Sequence, residues 1–315
     1  MAATDAGHPD DPEHWRHETA RVNGIDLHYV TVDPDPAAVD HPTGDAPLVV
    51  LLHGFPEFWY AWRHQLDALA DAGYRVVAPD LRGYNRSSQP AGVDSYGMAE
   101  LVGDVRGLVE HLGYGRAAIV GHDWGGAIAW EVAMRDPDLV SQLAILNSPH
   151  PEVFQETLSR SPRQLLKSWY IFAFQLPWLP ERLLAAGDYR TVGEMLADTT
   201  TPDAFTDADI RRYKDAMTRS GSMTGPVNYY RAGVRENAER TLRSLLPGAE
   251  TPRRTVDVPT LLVWGEDDVA LSTELVDGHD EYVADLRVER LPAASHWVQA
   301  DAPEQVTALL VEFLT

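Results

Sequence analysis

Three side chains have types and spacing that could do chemistry: Asp123, Asp268 and His296. Residues Ala117 to Gly126 read AAIVGHDWGG. A short apolar run feeds a G-x-D-x-G turn, and the turn feeds a helix-like segment. This is the nucleophile-elbow arrangement G-x-S-x-G with aspartate in place of serine. Its glycines allow a tight turn and a close approach of neighbouring backbone. The turn would lift the Asp123 side chain above the end of a strand. The backbone N–H of Trp124 would then lie at a helix N-terminus, where it can stabilise an oxyanion. Helix capping alone would explain an acid at this point. It would not explain Gly121, Gly125 and Gly126 around it. A carboxylate is a nucleophile that needs no base to activate it. It can displace a leaving group from saturated carbon and form an alkyl-enzyme ester. Water must then cleave that ester.

Cleavage needs a base. His296 lies in Ala294–Trp297 (ASHW), between the last strand-like run and the last helix. From that loop it can reach the elbow and activate the hydrolytic water. The chain has 12 histidines, so position rather than residue type carries this assignment. Trp264 to Asp268 reads WGEDD, directly after another apolar run. A carboxylate there can fix the His296 tautomer and stabilise its cation. The W-G-x-x-D spacing favours Asp268, with Asp267 the alternative. The chain order Asp, Asp, His is the order of triad partners that accompanies such an elbow.

These groups need elements to position them. Arg21 to Thr31 reads as a hairpin turning at Asn23-Gly24. Strands are predicted at Pro47–Leu52, Arg75–Ala78, Ala117–Val120, Leu139–Leu146, Pro259–Trp264 and Asp285–Leu291. Helices are predicted at Ala61–Ala72, Met98–Leu112, Gly125–Met134 and Pro303–Leu314. Such alternation means an α/β fold, a mostly parallel sheet covered by helices. From 150 to 252 no strand-like run occurs, and the stretch reads as an inserted helical cap. The expected domains are therefore a loose acidic tail over 1–20, a core over 21–149 and 253–315, and the cap. A ligand site is expected between cap and core, above the carboxyl ends of the strands.

Composition narrows the partners. The net charge of −22 argues against nucleic acid and anionic membrane, which both need a basic face. No apolar run is long enough to span a bilayer. The start of the chain is polar and acidic, unlike a secretory signal. A soluble, cytoplasmic protein is expected. With no cysteine, thiol catalysis and thiolate metal sites are excluded. His53 and His64 lack zinc-ligand spacing, so no metal or other cofactor is expected. Lysine occurs only at Lys167 and Lys214. An acidic surface so poor in lysine suits a salt-rich cytoplasm, and equally a GC-rich genome.

With these motifs in place, the chain resembles the α/β-hydrolase fold and, within it, the soluble epoxide hydrolases. HGFPE at 53–57 looks like that family's oxyanion loop, GHDWGG at 121–126 like its elbow, and NSPHP at 147–151 like its exit from core to cap. DLRGYNRSS at 80–88 is similar to another family segment, with Asn85 where glycine is usual. The resemblance runs from about residue 20 to the end. It implies that the backbone N–H groups of Phe55 and Trp124 form the oxyanion hole. It also implies two cap tyrosines that hydrogen-bond the epoxide oxygen. SWYIFAFQLP at 168–177 maps the first to Tyr170. NYYR at 228–231 maps the second to Tyr230, with Tyr229 the alternative. A phenol suits the task, since ring opening builds negative charge on that oxygen. The implied partners are a small epoxide and water, with a homodimer an admissible assembly.

Two other readings share parts of this pattern. A haloalkane dehalogenase uses the same Asp nucleophile but holds its halide with N–H donors. Phe55 stands where one such donor would be, while Trp169 and Trp178 could supply another. A binding protein could keep the fold without the chemistry, but need not keep Asp123, Asp268 and His296 together.

Overall fold

The computed structural model describes residues 7–8, 11–36, 46–202, 204–244 and 254–315. β1 (Arg16–Val22) and β2 (Ile25–Val32) form an antiparallel hairpin in which Val22 lies opposite Ile25. Asn23 and Gly24 turn it at positive φ. That is the conformation for which Asn-Gly is suited. β3 (Leu48–Leu52), β4 (Arg75–Pro79), β5 (Ala117–His122), β6 (Val140–Leu146), β7 (Thr260–Gly265) and β8 (Leu286–Leu291) follow. All eight join one sheet in the order β1-β2-β4-β3-β5-β6-β7-β8. Only the pairs involving β1 and β2 are antiparallel. β3, β5 and β7 are buried at every position. Unbroken apolar runs suit strands covered on both faces.

Helices α1 (Leu66–Asp71), α2 (Met98–His111) and α3 (Trp124–Arg135) connect these strands. Between β6 and β7 the chain leaves the sheet. It forms α4 (Pro151–Arg160), α5 (Pro162–Lys167), α6 (Trp169–Ala173), α7 (Leu179–Ala197), α8 (Asp207–Arg219) and α9 (Thr224–Ser244). Local sequence starts several of these. Proline opens α4 and α5, and Ser161 caps α5 through the Gln164 N–H. Thr206 and Asp209 make a capping box at α8. α7 breaks at Ala186–Tyr189, where Gly187, Asp188 and Tyr189 take positive φ. The short α10 (Val298–Asp301) and α11 (Pro303–Leu314) end the chain, and α11 packs on α1.

The expected α/β architecture with its helical insertion is present. Two details differ from the sequence reading. The first strand begins at Arg16, inside the stretch expected to be a tail. Its first inward-facing residue is His17, which is buried and stacks on His28 with ring centroids 5.2 Å apart. Asp11 pairs with Arg212 at 2.6 Å, and the Trp15 indole donates to Asp67 at 2.6 Å. Polar residues with buried partners hid this core contact from a hydrophobic pattern. The helix expected over Ala61–Ala72 is instead a 3-10 turn at Trp59–Trp62 followed by α1. Tertiary bonds override local propensity there. The Trp59 N–H donates to Asp80 at 3.2 Å, and buried Gln65 reaches the Gln299 carbonyl and Thr307 hydroxyl. The expected return to the core at 253 lies outside the described residues.

Candidate active site

Asp123 sits where β5 turns into α3, at φ 48° and ψ −118°. A non-glycine residue adopts such a conformation only when its surroundings impose it. They do so through two glycines. A Cβ on Gly121 would strike the Gly125 backbone, and one on Gly125 would strike the Leu52 carbonyl. The elbow is locked by the Ser148 hydroxyl, which donates to the Asp123 carbonyl at 2.8 Å. The Phe55 N–H donates to Asp123 Oδ2 at 2.8 Å, and the Trp124 N–H also bonds the carboxylate. Burial pushes the Asp123 carboxyl above its usual range, against the opposing pull of His296, His122 and these N–H groups.

His296 Nδ1 meets Asp268 Oδ2 at 2.7 Å. Asp268 is fully engaged. Its Oδ1 accepts from the Ala270 and Leu271 N–H groups at 2.7 and 2.8 Å, and Asn147 donates to Oδ2 at 2.8 Å. Burial disfavours the Asp268 charge, yet His296 and these donors hold its carboxyl below the usual range. The neighbouring Asp267 is exposed. Burial lowers the His296 pKa, but the charges of Asp268 and Asp123 outweigh it and raise it to about 9. With Nδ1 committed to Asp268, Nε2 is the nitrogen left for chemistry.

Tyr170 on α6 and Tyr230 on α9 meet edge to face, with ring centroids 5.8 Å apart. Tyr230 also packs against Phe55 at 5.5 Å and Trp124 at 5.0 Å. Burial raises the pKa of both phenols, and the Asp123 charge raises them further. Both hydroxyls thus share an environment with the carboxylate. Tyr229 turns elsewhere and donates to the Arg82 carbonyl at 2.7 Å. Trp169 and Trp178, the indoles a halide site would need, are exposed on the outer surface. Among the described residues, no three His, Asp or Glu side chains are grouped to hold a metal ion.

Sequence reasoning quoted Glu57, His122 and Asn147 inside motifs without giving them work. Buried Glu57 accepts from the Gly54 N–H at 3.0 Å and pairs with His122 at 2.7 Å. His122 Nε2 lies 2.8 Å from the His296 carbonyl oxygen. This buried pair ties the Phe55 loop, the elbow and the His296 loop together. Asn147 bridges Asp268 and the Gly265 N–H. A polar residue inside a dense motif was the available signal.

A parallel sheet with an Asp elbow and a His–Asp pair at its strand ends defines a class. Residues 47–303 match the family model described as alpha/beta hydrolase fold, and the chain belongs to that family. It is 40% identical to the AB hydrolase superfamily protein YfhM of Bacillus subtilis, over 93% of this chain and 96% of the relative. It is 37% identical to human Epoxide hydrolase 4, over 96% of this chain and 80% of the relative. Among solved structures it is similar to an epoxide hydrolase of Bacillus megaterium in complex with an inhibitor. That match has a TM-score of 0.80 at 31% identity, covering 94% of this chain and 99% of that one.

Proposed function

We propose that this chain is an epoxide hydrolase that works through an ester on Asp123. The observation that carries the reading is the pair of facing phenols, half-buried Tyr170 and buried Tyr230, in the field of the Asp123 carboxylate. In the proposed reaction Asp123 Oδ1, the oxygen not bonded to the Phe55 N–H, attacks an epoxide carbon. The C–O bond of the ring breaks, and a tyrosine passes its proton to the departing oxygen. The helical insertion acts as the cap that delivers the phenols. Its product is a hydroxyalkyl ester of Asp123.

Esterification changes the electrostatics. The Asp123 charge supports the imidazolium of His296. Once esterified, that charge is gone, the His296 pKa falls, and the imidazolium gives up its proton, which restores the tyrosine that protonated the ring oxygen. The histidine then becomes a base at the step that needs one. Its Nε2 takes a proton from water, and the water oxygen adds to the Asp123 carbonyl carbon. The oxyanion forms between the N–H groups of Phe55 and Trp124, which are already aimed at it. Collapse releases the vicinal diol and restores the carboxylate, for a net addition of one water. A cytoplasmic setting and a small-molecule substrate, without nucleic acid, belong to the same reading. The net charge of −22 supports the exclusion of nucleic acid.

Intact-protein mass spectrometry of His296→Gln tests the scheme. The variant should gain the full mass of a reactive epoxide such as styrene oxide and then stall. If it stays unmodified while the native enzyme forms diol, water adds directly and the ester mechanism fails. Halide release from haloalkanes without diol formation from epoxides would transfer the site to dehalogenation.

A further inference from the structure

We infer that the outer face of α5, α6 and the first half of α7 is a docking surface for an anionic lipid membrane. The face is strongly apolar. Leu166 is 75% exposed, Trp169 66% and Trp178 60%, and Phe172, Leu176 and Leu183 are also exposed. Most of the exposed large hydrophobic residues among the described residues fall between Leu165 and Leu183. Contiguous apolar surface of this kind marks an interaction site. α6 buries no residue completely, so its outward side chains have no packing role to explain them.

Charge decides the partner. The chain carries 48 carboxylates, and residues 157–187 contain only Glu181. That one is neutralised by Arg231 at 2.6 Å. Arg160 in this stretch is paired with Glu156 at 2.7 Å and Lys167 donates inward to the Asp268 carbonyl, so Arg163 and Arg182 are the cations left to this face. Arg182 stacks on the Trp178 ring at 4.8 Å and so places a cation at the rim of the apolar face. The overall charge of −22 therefore conceals a local reversal. At contact only charges within about a Debye length, ~10 Å, act strongly, so the local cations govern. Tryptophan, leucine and phenylalanine beside arginine are the composition of an interfacial membrane surface. A second copy fits less well. A two-fold contact would set the cationic rim against itself. Docking here needs no spanning segment, and no described helix is long and apolar enough to cross a membrane.

Vesicle binding can be read without reference to the reaction. Native protein is mixed with vesicles of phosphatidylcholine alone and of phosphatidylcholine with phosphatidylglycerol, and flotation is measured. Binding is expected to the anionic vesicles, and to weaken as salt rises from about 0.1 M to about 1 M. The triple variant Trp169→Ser, Phe172→Ser, Trp178→Ser should bind at least about tenfold more weakly. A charge-reversed pair, Arg163→Glu with Arg182→Glu, removes no apolar side chain and should also lose anionic binding. It provides the test if the triple variant fails to fold. Failure of native protein to float with anionic vesicles at low salt overturns the inference. So does undiminished binding by the charge-reversed pair. A native dimer that ignores vesicles and becomes monomeric in the triple variant would assign the face to a second copy and overturn it equally.

Discussion

At the strand ends, Asp123 is held by a strained elbow, two backbone N–H groups and a hydroxyl on its carbonyl. Asp268 is held by three hydrogen-bond donors besides His296. In the helical insertion, Tyr170 sits on a five-residue helix with no fully buried residue, next to a helix that breaks in its middle. The two regions hold functional groups by different means. Backbone geometry and a closed hydrogen-bond network fix the groups at the strand ends. Aromatic packing, with a hydrogen bond between Tyr230 and Trp124, positions the tyrosines. One region is built to keep charged groups at fixed distances, and the other brings aromatic rings and phenols against them.

The largest effect should come from the rigid region. Asp123→Ala should reduce diol formation by on the order of ten-thousand-fold or more and leave no covalent adduct in mass spectrometry. Turnover within tenfold of native would end the idea that the elbow carries the nucleophile. The insertion should matter less per residue. Tyr170→Phe or Tyr230→Phe should each slow formation of the ester by on the order of a hundredfold, with a smaller effect on its hydrolysis. Rapid-quench kinetics separates the two steps. Equal slowing of both would mean that the tyrosines shape the pocket instead of donating protons.

A third test concerns the electrostatic bond between the loops after β7 and β8. The His296 pKa is 6.5 in an unperturbed chain and about 9 in the fold. The folded state thus binds this proton more tightly. The resulting stability is fully present below pH 6.5 and is lost as pH rises through about 9. Denaturant titrations should show a fall on the order of 3 kcal/mol across that window. The fall should vanish in His296→Gln. Its persistence there would assign it to another group.

The smallest effect contrasts neighbours on α9. Tyr229→Phe removes the bond to the Arg82 carbonyl. It should cost about 1–2 kcal/mol of stability and leave turnover within about twofold of native. A turnover loss as large as that of Tyr230→Phe would erase the distinction between the two tyrosines.

Sequence alone determined the parts whose chemistry is local. Apolar runs of strand length, the Asn23-Gly24 turn and the glycines around Asp123 each encode backbone geometry within a few residues. Gly121 and Gly125 are there because backbone fills the space a side chain would need. The tertiary structure decided what depends on residues far apart in the chain. Between Asp267 and Asp268, and between Tyr229 and Tyr230, the residue types are identical, and only the direction of the side chain separates them. It also decided the work of Glu57 and His122, which meet across 65 positions of sequence. It placed His17 in the core, where a polar residue is satisfied by partners no periodicity reveals. The physical reason is the same in each case. Local backbone preferences are written in adjacent residues, whereas burial and pairing of polar groups exist only once distant segments have met.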